Sequence, residues 1–324
     1  MDNKKTKRTL PPINYSDLMD LRIDYAFKLL FTKGDSRLLI SLLNAIFANK
    51  KIPRTIESLA IKNPYLEKES SGDKLSILDI RAQLDDGTAI LIEMHMYNLG
   101  ELKSKSIRSW ARAYGEELEP GKFYSDQPPT VSIAFTNGNI VPDAHKAKIH
   151  KLCMIMDCED NTVFTNAMEL HYIDMKAFAE AVNEKGSINI SGTEEVKFSK
   201  WLSVITQKDI ADKTIIEDIC EDEEDISMAV STLAKQGEDK YSRQAYQRRQ
   251  DEIYFFNMSM QRAEEDRRLV EEYRQRSEED RRQSKEDRRL VKAMAERLLS
   301  RGDSIADIAA ALDITEQDIA ALLP

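Results

Sequence analysis

The sequence predicts an α/β protein: a central mixed β-sheet flanked by helices, followed by a long helical C-terminal region. Three observations lead there. Helical and strand-like apolar patterns alternate up to about residue 185, as in a sheet covered by helices. Two apolar runs within that region, Leu75–Leu84 and Ala89–Met96, are joined by Asp85-Asp86-Gly87 and read as a β-hairpin. From Glu195 onward the chain reads helical, and Glu-Asp-Arg-Arg begins at Glu265, Glu279 and Glu286 in a heptad register.

Residues 1–15 are a basic arm, with Lys4, Lys5, Lys7 and Arg8 ahead of Pro11-Pro12, either solvated or touching phosphate. No apolar core follows it, so it does not read as a signal peptide. Leu18, Leu21, Ala26, Phe27, Leu30 and Phe31 give helical spacing over 16–31. Asp24 either caps the helix containing Phe27 or delivers a carboxylate from it. Leu38, Leu39, Leu42, Leu43, Ile46 and Phe47 mark a second helix over 36–48, and Pro53 ends that segment. Ile56–Ile61 reads as the first strand, with a turn at Asn63-Pro64.

The hairpin carries the chemistry. With period two, Ile90, Ile92, Met94 and Met96 share one face, while Leu91, Glu93 and His95 share the other. In the first strand Leu75, Ile77, Asp79, Arg81 and Gln83 form one face, and if the hairpin pairs as written Asp79 can project beside Glu93. A carboxylate inside an apolar strand is costly unless something binds it. Hard divalent cations take such oxygen ligands and can activate water for phosphodiester hydrolysis. Ion pairing is the competing reading: Asp79 with Arg81 or Lys74, Glu93 with Lys103 or Arg108.

A helix over Lys103–Glu119 follows, with Lys105, Arg108 and Arg112 at spacings of three and four. They form either a phosphate guide or partners for Glu101, Glu116 and Glu117. Trp110 and Tyr114 face the sheet or a neighbour, and Thr130–Phe135 is a strand closed by Asn137-Gly138-Asn139. Residues 144–158 read as a helix with buried cysteine and surface histidine. The spacing of His145, His150, Cys153 and Cys158 suits zinc poorly. His171 lies in a strand over Leu170–Met175 and reads as structural.

A boundary is expected near Gly186–Thr193, which divides 16–185 from a helical extension over 186–300. Glu217–Asp225, with seven carboxylates in nine residues, reads as a solvated acidic link. In the heptad segment Leu269-Val270 aligns with Leu290-Val291, but Arg276-Ser277 and Gln283-Ser284 break the seam between them. That favours a long exposed helix held by i,i+4 ion pairs, with a two-chain coiled coil as the alternative. Residues 301–324 form two short helices around Asp313-Ile314-Thr315, with Thr315 capping the second. No Lys or Arg follows Arg301, so this acidic tail is expected to pack on protein and not to read DNA.

Asp79 followed fourteen residues later by Glu93-Met94-His95 resembles the D…(D/E)xK signature of PD-(D/E)xK nucleases. More narrowly, the chain resembles the bacterial recombination-promoting nuclease and transposase family. Asp24-Tyr25-Ala26-Phe27-Lys28 with Leu30-Phe31 is similar to that family's opening D-x-x-F-K-x-x-F segment, and Leu42–Ile46 to its next helix. Asp73 with Asp79-Ile80, Ile92-Glu93-Met94, Arg108 with Tyr114, Val131–Phe135 and Leu170–Asp174 continue the order. The resemblance runs from about residue 20 to the C-terminus.

The resemblance implies a PD-(D/E)xK-like core and a DNA endonuclease using Mg²⁺, or Mn²⁺ in its place, linked to recombination or transposition. Asp79 and Glu93 would bind metal, with Asp24 a weaker ligand at the edge. His95 would orient or activate water, and Lys105, Arg108 and Arg112 would contact phosphate. One departure stands out: the family has Gln, and the wider superfamily Lys, where this chain has His95. Imidazole can bond water or act as a base near neutral pH, but it is not a permanent cation. A catalytically degenerate fold acting as a DNA-binding or assembly scaffold is therefore the second reading.

Composition narrows the field. A net charge of −10 excludes a generally basic nucleic-acid coat, leaving room only for a locally basic groove. Three cysteines make no disulfide framework and suit a reducing, cytoplasmic setting. No run of eighteen apolar residues spans a membrane. A homo-oligomer through the C-terminal helix and tail is the partner besides DNA.

Overall fold

The computed structural model describes residues 14–62, 65–66, 76–77, 79–96, 99–116, 118, 121–140 and 148–322. Most of the basic arm, Lys74, Leu75, Glu117 and His145 lie outside that set. The chain divides into two compact units, Met1–Ile253 and Tyr254–Pro324.

In the first unit, α1 (Asp24–Lys33) and α2 (Ser36–Asn49) come first. Asp35 caps α2 by accepting from Arg37 N at 2.9 Å, and Leu38, Leu39, Leu42, Leu43, Ile46 and Phe47 give it one apolar stripe. The strands are β1 (Leu59–Lys62), β2 (Tyr65–Leu66), β3 (Ser76–Ile77), β4 (Ile80–Leu84) and β5 (Ala89–His95). After α3 (Leu102–Glu116) come β6 (Thr130–Thr136), β7 (His150–Met156) and β8 (Val163–Asp174). They build a six-stranded mixed sheet in the order β1-β4-β5-β6-β8-β7, while β2 and β3 pair separately. The β5–β6 and β6–β8 pairs are parallel and the rest antiparallel.

The β4–β5 hairpin forms as expected, with Ile80 opposite Ile92 and Gln83 opposite Ala89. Gly87 takes φ +84°, a conformation that disfavours side chains, and the Asp86 carboxylate accepts from Thr88 N at 2.9 Å. The first strand is shorter than the apolar run suggested. Asp79 sits in a bend just before β4, and Ser76–Ile77 pairs instead with Tyr65–Leu66.

Alternation sorts the two faces. Ile80, Ala82, Ile90, Ile92, Val131, Ile133 and Phe135 join the main core with α1 and α2. Leu91 meets Ala113 of α3, while Ala134, Leu170 and Tyr172 meet Trp110. Trp110 stacks on Tyr114 at 5.0 Å and donates to Thr130 O, so this aromatic pair does face the sheet.

Helices α4 (Met175–Lys185), α5 (Val196–Ile205), α6 (Thr214–Asp222) and α7 (Glu224–Glu238) follow. The main core continues through Phe198, Trp201, Leu202, Ile216, Ile219, Ile226, Val230 and Leu233 to Tyr246. Hence no division between compact units falls at the boundary expected near Gly186. Residues 217–225 are likewise no link: they end α6 and begin α7. Lys197 and Lys200 counter Asp222, Glu223 and Asp225 there. Residues 150–156 form a strand where a helix was expected, because the apolar run over 152–156 carries no period of its own.

Helix α8 (Lys240–Leu299) passes into the second unit, which ends in α9 (Ile305–Leu312) and α10 (Glu316–Leu322). Ser304 and Thr315 cap the two short helices, and Ile308, Ala309 and Ile319 bury against Ala295 of α8. The acidic tail thus packs on its own chain. Among the described residues, no helix is long and apolar enough to cross a membrane.

Candidate active site

Both acids of the hairpin are shielded from solvent. Glu93 is 5% exposed and shares the Leu91 face of β5, toward α3. Two basic side chains meet the same carboxylate oxygen. His95 Nε2 lies 2.6 Å and Lys105 Nζ, from α3, 2.9 Å from Glu93 Oε2. Oε1 takes no part in either bond. Burial alone would raise the Glu93 carboxyl, but the His95 bond and the Lys105 charge hold it below the usual carboxylate range. Glu93 is therefore ionised at neutral pH. In the Nε2–H tautomer the His95 imidazole donates to this carboxylate and leaves Nδ1 as an acceptor.

Asp79 lies one step beyond the last paired residues of the hairpin, Ile80 and Ile92. Its Oδ2 accepts from Met94 N at 2.6 Å, the amide that follows Glu93. Strand amides point within the sheet, so this oxygen sits in the sheet plane at the open end of the β4–β5 ladder. Oδ1 turns to α1, where Lys28 Nζ approaches to 3.2 Å. The two acids thus draw their lysines from helices on opposite faces. Burial pushes the Asp79 carboxyl up, with Lys28 and the Met94 amide offsetting only part of that.

Asp24 is the first residue of α1 and not its cap; that position is held by Ile23. The Asp24 carboxylate accepts from Arg249 Nε of α8 at 2.8 Å, and Lys28 stands between it and Asp79, 3.9 Å from Asp24 Oδ2. Of the basic residues on α3, Lys105 and Arg108 are exposed, whereas Arg112 is buried on the side of Ser109 and Ala113. Of the alternative ion pairs foreseen for the two acids, Lys74 lies outside the described residues, and Arg81 bonds Glu116 at 2.8 Å. Lys28 and Arg249 were missed because nothing local links Lys28 to Asp79 or Arg249 to Asp24, which lies 225 residues away from it.

A second polar cluster crosses β7 and β8. Asn49 Nδ2 bonds His150 Nδ1 at 3.0 Å, His150 Nε2 bonds His171 Nδ1 at 2.9 Å, and His171 Nε2 reaches Glu169 at 3.5 Å. Arg54 closes the chain with two bonds to Glu169, at 3.2 and 3.1 Å. His150 is fully buried, which corrects the surface position expected for it. Cys153 is half-buried and Cys158 exposed. Among the described residues, no group of three or more His, Cys, Asp or Glu gathers to hold a metal ion.

The family model for PD-(D/E)XK nuclease family transposases matches residues 21–263. The chain belongs to that family. No curated protein and no solved structure matches it. The matched span takes in α1, the hairpin, α3 and the start of α8, so every residue of the first cluster falls inside it.

Proposed function

We propose that the protein is a Mg²⁺-dependent DNA endonuclease acting in recombination or transposition, with its centre at Asp79 and Glu93. The supporting observation is a buried, ionised glutamate bonded by one imidazole and one ammonium, with a second carboxylate anchored on the next peptide. Two carboxylates are the protein donors that Mg²⁺ or Mn²⁺ asks for, water and phosphate oxygens completing the set. The donor types therefore suit such an ion, which Asp79 and Glu93 would hold. A bound ion would supply charge for the phosphate and acidify a water.

The chain's own groups carry the rest. His95 is fixed by Glu93 through Nε2, and its Nδ1 accepts the proton of the attacking water. Lys105 supplies the ammonium that position 95 lacks. Half exposed, it can exchange Glu93 for a phosphoryl oxygen. Arg108 stands three residues on, also exposed, where it would meet the DNA backbone. Buried Arg112 would serve by supporting α3. Asp24, held by Arg249, would orient Lys28 and stay at the edge of the metal site.

The second reading is a DNA-binding scaffold. It is favoured by Lys28 and Lys105 already countering both acids. The full-length protein with supercoiled DNA separates the two. The endonuclease nicks only with Mg²⁺ or Mn²⁺ and gains thermal stability on Mg²⁺ addition. Asp79→Asn and Glu93→Gln lose both responses with an unchanged circular dichroism spectrum. DNA retained without cutting, and no Mg²⁺ response in the unmutated protein, would establish the scaffold.

A further inference from the structure

The stretch of α8 in the second unit carries large apolar side chains that nothing in the unit covers. Leu269, Val270, Tyr273, Leu290 and Met294 are exposed by 42, 67, 72, 55 and 53%. They lie on one stripe. In a heptad numbering with a at Asp266, Tyr273, Asp280, Asp287 and Met294, the d positions are Leu269, Arg276, Gln283, Leu290 and Arg297. The e positions are small or apolar throughout: Ala263, Val270, Ser277, Ser284, Val291 and Leu298. The intrahelical ion pairs Arg274–Glu278 and Lys292–Glu296 fall at b, f and c, and the charges at a and d take no part in them. One face is therefore apolar or small with isolated charges, and the opposite face is charged and carries these two ion pairs.

We propose that residues 266–297 pair with the same segment of a second copy of this chain as an antiparallel coiled coil, with its two-fold axis between Arg281 and Arg282. In an antiparallel pair, a of one helix packs beside d of the other, and two-fold symmetry fixes the sum of the paired residue numbers. In this register every seam layer is matched. Leu269 meets the partner's Met294, and Tyr273 meets the partner's Leu290. Asp266 meets the partner's Arg297, Arg276 meets the partner's Asp287, and Asp280 meets the partner's Gln283. Along one flank Val270 meets the partner's Val291, and Ser277 meets the partner's Ser284. The like-charged flank pair, Glu279 with the partner's Glu286, is offset by Arg282 and Arg289 three residues on in each helix.

The alternatives are unfavourable. A parallel pair in register sets Asp266, Arg276, Asp280, Asp287 and Arg297 each against its own copy. Sliding the antiparallel pair by one heptad sets Asp266 against the partner's Leu290, or Asp280 against the partner's Leu290 and Met294 against the partner's Arg276. The break in the seam is what selects orientation and register, as isolated polar seam residues do.

Sedimentation equilibrium of the full-length protein tests this. The expected result is a monomer–dimer equilibrium below about 100 µM; a monomer throughout that range overturns the proposal. Arg276→Asp and Asp287→Arg should each weaken the dimer by about tenfold or more, because two symmetry-related layers become repulsive. The double variant Arg276→Asp/Asp287→Arg should recover the original affinity. These residues stand about 16 Å apart along one helix, so rescue cannot arise within a chain. A dimer that the single variants weaken and the double variant does not recover would overturn the antiparallel register.

Discussion

The sheet carries two polar clusters, and they are built on opposite plans. In the cluster around His150 and His171 the donors and acceptors alternate to completion. Asn49 is fixed by accepting from Glu195 N and donating to Gly192 O, so its amide must donate to His150. Each imidazole then accepts at Nδ1 and donates at Nε2, and Arg54 balances the terminal Glu169. Both histidines are fully buried. The Asp79–Glu93 cluster is open by contrast. Its countercharges ride on long side chains, and Lys105 is half exposed. A closed chain of that kind fixes the fold. An open one holds charge that a ligand can take over.

The largest difference should appear on removing a countercharge from the open cluster. Lys105→Ala is expected to lower DNA cleavage by about 10²–10³-fold, the usual loss for one electrostatic donor at a reacting oxyanion. Lys105 is half exposed and His95 remains bonded to the buried Glu93, so the free energy of urea unfolding should fall by only about 1 kcal/mol. Cleavage that survives the substitution intact would remove Lys105 from the chemistry.

The closed cluster should answer to pH. Burial holds His150 well below its ordinary pKa, helped by the neighbouring His171, and burial likewise lowers His171 against the pull of Glu169. The unfolded chain therefore binds more protons below about pH 6.5. Stability is complete above that value and falls as the solution is acidified toward the folded pKa values, by up to about 1.4 kcal/mol per pH unit for each histidine. Protonating either ring also sets two donors face to face at Asn49 or between the rings. The urea midpoint, followed from about pH 7.5 to about pH 5, measures this. Replacing both histidines together should flatten the profile, and an unchanged profile in that variant would place the acid sensitivity elsewhere.

The contrast also explains which elements could be read from the sequence. The hairpin, its Asp-Gly turn and the inward Glu93 were legible because period two and turn chemistry are local, whereas Asp79 sits in a bend before β4 that the period did not foresee. So were α2 and the capped tail. The partners of the acids were not, since Lys28 and Arg249 reach Asp79 and Asp24 only through the packing of α1 and α8. The histidine chain was hidden for the same reason. Its pairing depends on β7 lying against β8 and on Asn49 from α2, contacts that no spacing encodes. Residues 150–156 were misread at the first step, because only its neighbours decide the state of the apolar run over 152–156.

The smallest expected effect is the most telling about Asp79. Its folded pKa lies above the unfolded one because burial outweighs Lys28 and the Met94 amide. A carboxylate shifted that way adds stability only when protonated, and that contribution is lost as pH rises through the folded value. At neutral pH the ionised group therefore costs folding energy. Asp79→Asn keeps an oxygen for Met94 N and removes the buried charge, while Lys28 retains Asp24 nearby. The variant should unfold within about 1 kcal/mol of the parent, on the stabilising side. A loss of more than about 2 kcal/mol would instead mark Asp79 and Lys28 as a structural ion pair of the Glu169–Arg54 kind. Stability retained, together with loss of the Mg²⁺ response, is the combination that a residue kept for chemistry produces.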